Sequence, residues 1–193
     1  PKSTLGFTKR FGEKIIKNLE PKLNQKIITN FTIVRFGNVI GSSGSVIPIF
    51  LNQIENQSFL AVTNKNVQRH IMSINEAVQL VINASYLNKK GIKIFTLDMG
   101  KQIKIYEIAK RIIRLSGNTF RDKKNSKGDI EIKIIGLKKG EKISEELTLG
   151  KNLVKTSHPK IMECHEKFKL KNLDLHLKKI QNSLNLNLKS NLK

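Results

Sequence analysis

The stretch RFGNVIGSSGSVIP, residues 35–48, decides the fold predicted for this chain of 193 residues. Ile33 and Val34 lead into it as part of an apolar, β-branched run, which is typical of a buried strand. Three glycines and three serines follow as a loop, and residues 46–54 are predicted to form a helix. Ligands of α/β sheets bind where strands end, and glycine lets the backbone approach a ligand closely. The composition of the stretch therefore predicts either a ligand site in an α/β protein or a plain connector between a strand and a helix.

The elements on either side of this stretch are predicted from the spacing of apolar residues. Apolar residues recur at every fourth position from Phe7 to Leu19, which indicates a helix over residues 3–19. Ser73 and Glu76 form a capping box at the start of another helix. The same reasoning predicts strands over residues 28–38, 59–63, 93–99 and 130–135, and helices over residues 105–115 and 173–184.

The formal net charge of +21 would suit a nucleic acid or another polyanion as partner. The excess is nearly all lysine and comes with abundant Asn and Ile, and all three residues have A/T-rich codons, so genome composition explains it. The basic residues are spread along the chain with few aromatic residues between them, which disfavours a nucleic-acid site. No specific nucleic-acid partner is predicted.

The single cysteine, Cys164, excludes an internal disulfide and fits a reducing compartment. The four histidines are scattered without the spacing of metal ligands, so no metal site is predicted. No apolar run reaches the length of a bilayer span, and no signal-peptide pattern opens the chain. A cytoplasmic location is therefore predicted. Because the first residue is Pro1, we expect the chain to start inside a longer protein.

Residues 35–50 closely resemble the R-F-G-N-V-x-G-S-x-G-S-V-I-P-x-F segment of the CapD-like nucleotide-sugar dehydratases and epimerases, a branch of the extended short-chain dehydrogenase/reductases. Further segments resemble the family in the same order: VQRHIMSINEA (67–77), FTLDMG (95–100), GLKKGEKISEEL (136–147) and TSHPKIM (156–162).

The resemblance implies an α/β fold: the C-terminal part of a Rossmann-type, doubly wound parallel sheet plus a smaller α/β substrate-binding subdomain. We expect this domain over residues 1–165, followed by an amphipathic helix or tail over residues 166–193. The N-terminal dinucleotide-binding half is absent, because no strand–GxGxxG–helix occurs in these residues.

The resemblance also implies that NAD or NADP contacts Lys9, Phe36 and Gly37. Lys9 takes the place of the family's catalytic lysine, which binds the nicotinamide ribose hydroxyls and depresses the pKa of a neighbouring acid. Leu5 lies one turn earlier, where many relatives carry a proton-transferring Tyr and a membrane-anchored subgroup carries Met. Leu carries no proton, so acid and base groups are expected from residues that precede this chain.

By the same resemblance, a UDP-sugar contacts Asn38, Ser42, Ser45, Val46, Arg69, Lys138 and Glu141. Arg69 is expected to clamp the diphosphate, since a guanidinium fork suits phosphate oxygens; a surface ion pair is the alternative. Lys138 replaces an arginine of the family and keeps the charge without the fork. His70 is assigned to packing. Glu145 and Glu146 are adjacent on a predicted helix and are interpreted as structural.

The implied activity is a 4,6-dehydratase acting on UDP-N-acetylhexosamine in surface polysaccharide biosynthesis, with NAD(P) taking a hydride from sugar C4 and returning it to C6. A 4- or 5-epimerase of the same superfamily and a non-catalytic sugar-nucleotide-binding remnant are alternatives, and polyanion binding through charge is a third. The chain alone is expected to be inactive. The full-length parent is expected to form homo-oligomers and to contact the inner membrane only through N-terminal helices outside this chain.

Overall fold

The structure is a computed structural model, and it describes residues 3–18, 29–42, 44–145, 152–166 and 173–190. The helices are α1 (Thr4–Asn18), α2 (Val46–Asn56), α3 (Ile74–Leu87), α4 (Ile105–Leu115) and α5 (Leu173–Ser190). The strands are β1 (Phe31–Arg35), β2 (Asn38–Val39), β3 (Phe59–Val62), β4 (Gln68–Arg69), β5 (Ile71–Met72), β6 (Ile92–Leu97), β7 (Ile103–Lys104), β8 (Phe120–Arg121), β9 (Ile130–Ile134), β10 (Leu153–Lys155) and β11 (Ile161–Cys164).

The main sheet orders its described strands as β1, β6, β11 and β10. β1 and β6 run parallel, whereas β11 pairs antiparallel with both β6 and β10. Parallel strands need a long crossover, and the chain between β1 and β6 passes through α2 and α3. β1 ends at Arg35, earlier than the strand predicted to Asn38, because Phe36 and Gly37 leave the sheet before Asn38 pairs with β5. The parallel pair with its crossover is the C-terminal part of the expected Rossmann-type sheet.

Helix α3 covers this sheet and forms the first core with it. The helix starts after Ser73, whose Oγ accepts a hydrogen bond from the amide of Glu76 at 3.1 Å, as the predicted capping box requires. The buried residues of this core are Met72, Ala77, Leu80, Ala84, Phe95, Leu97 and Ile161. Their positions explain why the apolar residues of the predicted helix recur on one face.

A smaller α/β unit carries the second core. Its parallel sheet has the order β3, β9, β8, and α2 and α4 pack on it. The buried residues of this core are Phe50, Leu60, Val62, Ile108, Ala109, Ile112, Ile113, Ile130 and Ile132. Helix α4 ends just before Gly117, whose φ of 79° places it in the left-handed region that glycine favours after a helix. This unit is the smaller α/β part of the expected fold.

The hairpin of β10 and β11 is not predicted from the sequence. The two strands have three and four residues, and a polar turn joins them. In that turn the Thr156 hydroxyl donates to the Ile161 carbonyl at 2.7 Å and accepts from the His158 amide at 3.1 Å. Such short strands contain too few residues to establish a period of two, so the alternation that predicts longer strands is missing.

Helix α5 includes the C-terminal helix predicted over residues 173–184 and continues to Ser190. Leu175, Leu177 and Ile180 are 50%, 36% and 42% exposed, so these side chains are not packed into either core. Within the described residues, no helix combines the length and apolar character needed to cross a bilayer. Residue 19 of the helix predicted over residues 3–19 and residue 28 of the strand predicted over residues 28–38 lie outside the described residues.

Candidate substrate-binding site

The loop between β1 and α2 builds one wall of the candidate site. Gly41 and Gly44 have φ angles of 76° and 70°, which glycine adopts without the penalty of a Cβ. The Ser42 hydroxyl donates to the Val39 carbonyl at 2.9 Å, and the Ser45 amide donates to the Ser42 carbonyl at 3.0 Å. These bonds turn the chain so that β2 and the start of α2 line one cavity.

This cavity has a volume of about 580 Å³ and lies between the loop, α1, β3 and residues 138–141. Its polar lining includes Asn38, Ser45, Thr63, Arg69, Lys138 and Glu141. Its apolar lining includes Val46, Phe50, Val62 and Ile71. Ligand sites commonly combine apolar walls with a few convergent polar groups, and this volume is in their ordinary range. The cavity brings together every predicted substrate residue except Ser42, whose hydroxyl instead shapes the loop.

Arg69 lies between two carboxylates in this cavity. Its Nη2 is 3.4 Å from Glu141 Oε1, and its Nε is 3.6 Å from Glu145 Oε1. Its Nη1 donates to the carbonyl of Gln68 at 2.9 Å. The Arg69 side chain is 16% exposed, yet neither carboxylate forms the short two-pronged pair that guanidinium groups favour. Arg69 is therefore held close to the cavity without a tight partner for its charge.

Glu141, in contrast, is held firmly through both oxygens. The Thr63 hydroxyl donates to Glu141 Oε1 at 2.8 Å, and the Lys138 amide donates to Oε2 at 3.1 Å. The Glu141 amide donates back to the Lys138 carbonyl at 3.0 Å and closes a turn at Gly140, whose φ is 81°. This turn also places Lys138 in the cavity wall.

Glu145 corrects one prediction. The residue lies in a non-helical segment, not on a helix, and its carboxylate lies 3.6 Å from Nε of Arg69, a residue of the cavity wall. Asn38 Nδ2 donates to its Oε1 at 3.2 Å and lies 3.4 Å from its Oε2. Glu146, the other half of the predicted structural pair, lies outside the described residues. Sequence reasoning missed Glu145 because residues distant in the chain, and no local periodicity, set its position.

Two buried polar atoms near the cavity lack hydrogen-bond partners among the described residues: Ser45 Oγ and His70 Nδ1. Ser45 precedes α2 at the capping position, but its hydroxyl makes no capping bond. Buried polar atoms nearly always have partners, so Ser45 Oγ is available to a ligand in the cavity. His70 is half-buried and packs against Gly37, where a Cβ would lie 3.0 Å from His70 Cβ.

The residues predicted to hold NAD(P) do not belong to the cavity wall. Lys9 is exposed on α1, one turn after Leu5, which lines the cavity. Phe36 is 38% exposed, and the Gly37 amide donates to Met99 Sδ at 2.8 Å. An exposed lysine one turn from the cavity fits the ribose end of a nicotinamide nucleotide. The chain has no strand–GxGxxG–helix turn for the pyrophosphate, because Gly37, Gly41 and Gly44 have another spacing, so the fit is limited to the ribose end.

A second arginine-centred group, the Arg35 cluster, consists of Arg10, Glu13, Arg35 and Glu166 and does not line the cavity. Arg35 donates to Glu13 through Nε and Nη2, both at 2.8 Å, and to Glu166 through Nη1 at 2.7 Å. Arg10 also pairs with both carboxylates. The cluster joins α1, β1 and the segment after β11.

The Arg35 cluster also contains or contacts groups whose pKa values are shifted. Burial acts to raise the pKa of Glu166, but hydrogen bonds from Arg35 and Arg10 outweigh it and lower the pKa from 4.5 to about 2. Burial, together with the neighbouring Glu166, raises the pKa of the Cys164 thiol. A thiol held in its neutral form is a poor nucleophile and metal ligand. Among the described residues, no group of three or more His, Cys, Asp or Glu side chains is placed to hold a metal ion.

The fold and the site together define an α/β protein of Rossmann type with a ligand cavity. The loop after β1 lines one side of this cavity, and the smaller α/β unit lines another. The chain belongs to the family described as polysaccharide biosynthesis protein, whose profile matches residues 1–166. The predicted resemblance to CapD-like proteins is confirmed by the relatives of this family.

The chain is 44% identical over 178 residues to the capsular polysaccharide biosynthesis protein CapD of Staphylococcus aureus, and the aligned part is 92% of this chain and 27% of CapD. It is 47% identical over 154 residues to the probable polysaccharide biosynthesis protein EpsC of Bacillus subtilis, with 80% and 24% covered. A UDP-glucose 4-epimerase of Rickettsia bellii is 30% identical over 155 residues, with 80% and 42% covered. The chain thus spans less than half the length of these relatives.

Among solved structures, the X-ray structure of Pen from Bacillus thuringiensis is 33% identical with a TM-score of 0.70, and the likeness covers 89% of this chain and 50% of Pen. A dTDP-glucose 4,6-dehydratase from Bacillus anthracis, solved with NAD, is 17% identical with a TM-score of 0.52, covering 72% and 42%. At that identity the second likeness shows the fold alone. The predicted Rossmann-type fold is confirmed.

Proposed function

We propose that this chain forms the substrate-binding side of an NAD(P)-dependent nucleotide-sugar 4,6-dehydratase that acts on a UDP-N-acetylhexosamine in surface polysaccharide biosynthesis. The observation that carries the proposal is the convergence of Asn38, Ser45, Arg69, Lys138 and Glu141 in one cavity. Residues 1–165 would form the domain and residues 166–193 its C-terminal tail. The remaining half of the enzyme would come from sequence that precedes this chain in the parent protein, in the cytoplasm.

Each polar group in the cavity has a chemical role in this proposal. The Arg69 guanidinium and the Lys138 ammonium attract the diphosphate. The buried Ser45 hydroxyl donates to a ligand oxygen and thereby gains the partner it lacks. Glu141, fixed through both oxygens, accepts from a sugar or ribose hydroxyl. Val46 supplies an apolar wall.

Lys9 is the catalytic contribution of this chain in the proposal. Its ammonium would hold the ribose hydroxyls of the nicotinamide nucleotide, with Phe36 and Gly37 on the same side of the site. When bound, NAD(P) supplies the reversible hydride acceptance that a 4,6-dehydratase needs. Leu5, which lines the cavity, transfers no proton, so the acid and base would belong to the part of the parent that precedes this chain.

A nucleotide-sugar 4-epimerase is the second candidate, and the Rickettsia bellii UDP-glucose 4-epimerase favours it because it is 30% identical to this chain. Both reactions would use the same diphosphate-binding cavity and the same hydride acceptor. They differ in outcome, because the dehydratase eliminates water and the epimerase does not. The two activities are therefore separated by the mass of the product.

The proposal is tested at two levels. The first is calorimetric titration of the chain with UDP and UDP-N-acetylglucosamine, where we expect binding that requires Arg69. The second is incubation of the complete parent protein with UDP-N-acetylglucosamine, followed by mass spectrometry. A product lighter by one water supports the dehydratase, and a product of unchanged mass with a new sugar configuration supports the epimerase. Failure of the chain to bind UDP would contradict the proposed site.

A further inference from the structure

Glu145 is unusual in this site because its backbone is fixed while its carboxylate is held loosely. Gln102 Nε2 donates to the Glu145 carbonyl at 2.8 Å. Gln102 Oε1 accepts from the Ser144 hydroxyl at 2.9 Å and from the Glu145 amide at 3.4 Å. A single side chain thus binds the backbone of residues 144–145 from both directions. Gln102 thus fixes the backbone of Glu145 beside Asn38 and Arg69, two residues of the cavity wall.

The contacts of the Glu145 carboxylate are weaker than those of its backbone. Its oxygens lie 3.2 and 3.4 Å from Asn38 Nδ2. Its Oε1 lies 3.6 Å from Arg69 Nε, which is beyond hydrogen-bond distance. The side chain is 28% exposed, so solvent reaches it. These are contacts that a stronger anion can replace.

The groups that hold Glu145 are the groups that a phosphate needs. Arg69 already has two carboxylates within 4 Å, Glu141 and Glu145, so a phosphate would compete with them for its positive charge. A phosphate that entered beside both carboxylates would be repelled by their negative charges. Glu141 cannot move aside readily, because Thr63 and the Lys138 amide hold both of its oxygens. Glu145 is therefore the carboxylate that gives way.

We propose that Glu145 is a specificity-determining residue, whose carboxylate occupies a phosphate position beside Asn38 and Arg69 until the phosphate of a ligand displaces it. The inference rests on the proposed function, because it names the group that a nucleotide diphosphate replaces. Gln102 keeps the backbone in place, so the exchange needs only a rotation of the side chain. Gly37 leaves room for the carboxylate in the position it occupies beside Asn38, since a Cβ there would lie 3.2 Å from Glu145 Oε2.

The consequence is a selection by charge. A ligand with phosphate groups recovers the contacts with Asn38 and Arg69 that the carboxylate gives up. A ligand without an anionic group recovers little, because it replaces a charged partner of Arg69 with a neutral one. The cavity therefore favours nucleotides over nucleosides of the same base, by a mechanism that depends on one side chain.

The test is a calorimetric titration of wild type, Glu145→Gln and Glu145→Asp with UDP, inorganic pyrophosphate and uridine. Glu145→Gln removes the negative charge and keeps the shape, so UDP and pyrophosphate are expected to bind roughly tenfold more tightly, with a gain that shrinks in high salt. Uridine affinity is expected to stay unchanged. Glu145→Asp keeps the charge and is expected to bind like wild type. Glu107→Gln, on α4 outside the cavity wall, is the matched control and should change nothing.

The outcomes separate this inference from the proposed function. Weaker or unchanged binding of UDP and pyrophosphate by Glu145→Gln, with an unchanged melting temperature, would overturn the inference, because Glu145 would then position Asn38 and Arg69 rather than compete for them. A gain for pyrophosphate with no binding of UDP would support the inference and contradict the nucleotide-sugar function. If neither anion binds either protein, both proposals fail.

Discussion

Arg35 and Arg69 each lie between two glutamates, but the distances to those glutamates differ between the two sites. In the Arg35 cluster, a guanidinium meets Glu13 at 2.8 Å and Glu166 at 2.7 Å. In the cavity, Arg69 meets its two carboxylates only at 3.4 and 3.6 Å. The side chains of both arginines are largely buried, 13% exposed for Arg35 and 16% for Arg69. Burial alone therefore does not tell a structural arginine from a binding one; the geometry of its partners does.

The largest effect on stability is expected from substituting Arg35, the centre of the Arg35 cluster. Arg35→Met leaves the carboxylates of Glu13 and Glu166 in a site where each is less than 15% exposed. Breaking a buried ion pair from one side costs about 3–5 kcal/mol, because the remaining charge has no full compensation. We expect a loss of that size in urea unfolding. A loss below about 1 kcal/mol would show that the cluster is solvated and would remove the contrast with Arg69.

The next effect is a dependence of stability on acid that the Arg35 cluster produces through Glu166. The folded-state pKa of Glu166 is lowered from 4.5 to about 2, so the unfolded chain takes up the proton first. The stability from Glu166 is fully present above about pH 4.5 and is lost as the pH falls toward about 2. Urea unfolding between these pH values measures it. Glu166→Gln should show a shallower decline, and an equal slope in both proteins would contradict the assignment.

Substituting Arg69 is expected to lower the affinity for UDP and to leave stability nearly unchanged. In Arg69→Ala, Glu141 keeps its bonds from Thr63 and the Lys138 amide, so the cost in unfolding should stay below about 1 kcal/mol. Affinity for UDP should fall by about 10–100-fold, as expected for loss of a charge-assisted contact. Arg111→Ala, an exposed arginine on α4, is the control. Equal affinities for the two variants would refute the role of Arg69.

The smallest effects are expected for the two serines that precede helices α3 and α2. The Ser73 hydroxyl accepts from the Glu76 amide at 3.1 Å, so Ser73→Ala should cost about 1 kcal/mol of stability. Ser45 occupies the same position before α2, but its buried hydroxyl has no partner among the described residues. Ser45→Ala should therefore leave thermal stability unchanged or slightly raised, while UDP affinity falls a few-fold. A loss of stability equal to that of Ser73→Ala would mean that Ser45 serves the helix instead of a ligand.

Local sequence patterns predict much of the fold because many helices, strands and turns depend on residues that are close together in the sequence. The strand, loop and helix over residues 31–56 and the capping box at Ser73 are of this kind, and the structure contains them. The convergence of Asn38 and Arg69 follows from the family resemblance, not from spacing. Glu145 was misplaced because its position depends on Gln102, which lies 43 residues earlier. No helical or strand periodicity encodes such a contact.

The Arg35 cluster escaped sequence analysis for the same reason, and its span has a consequence for how the chain folds. Arg35 reaches Glu13 across 22 residues and Glu166 across 131, so the cluster closes a loop that contains most of the protein. Closing so long a loop reduces the conformational entropy of the chain before the contacts of the cluster can form and stabilise it. We infer that the cluster forms late, after the folding barrier has been crossed. Its bonds then act chiefly on the rate of unfolding, and a chain that lacks Arg35 should fold at nearly the normal speed and come apart sooner.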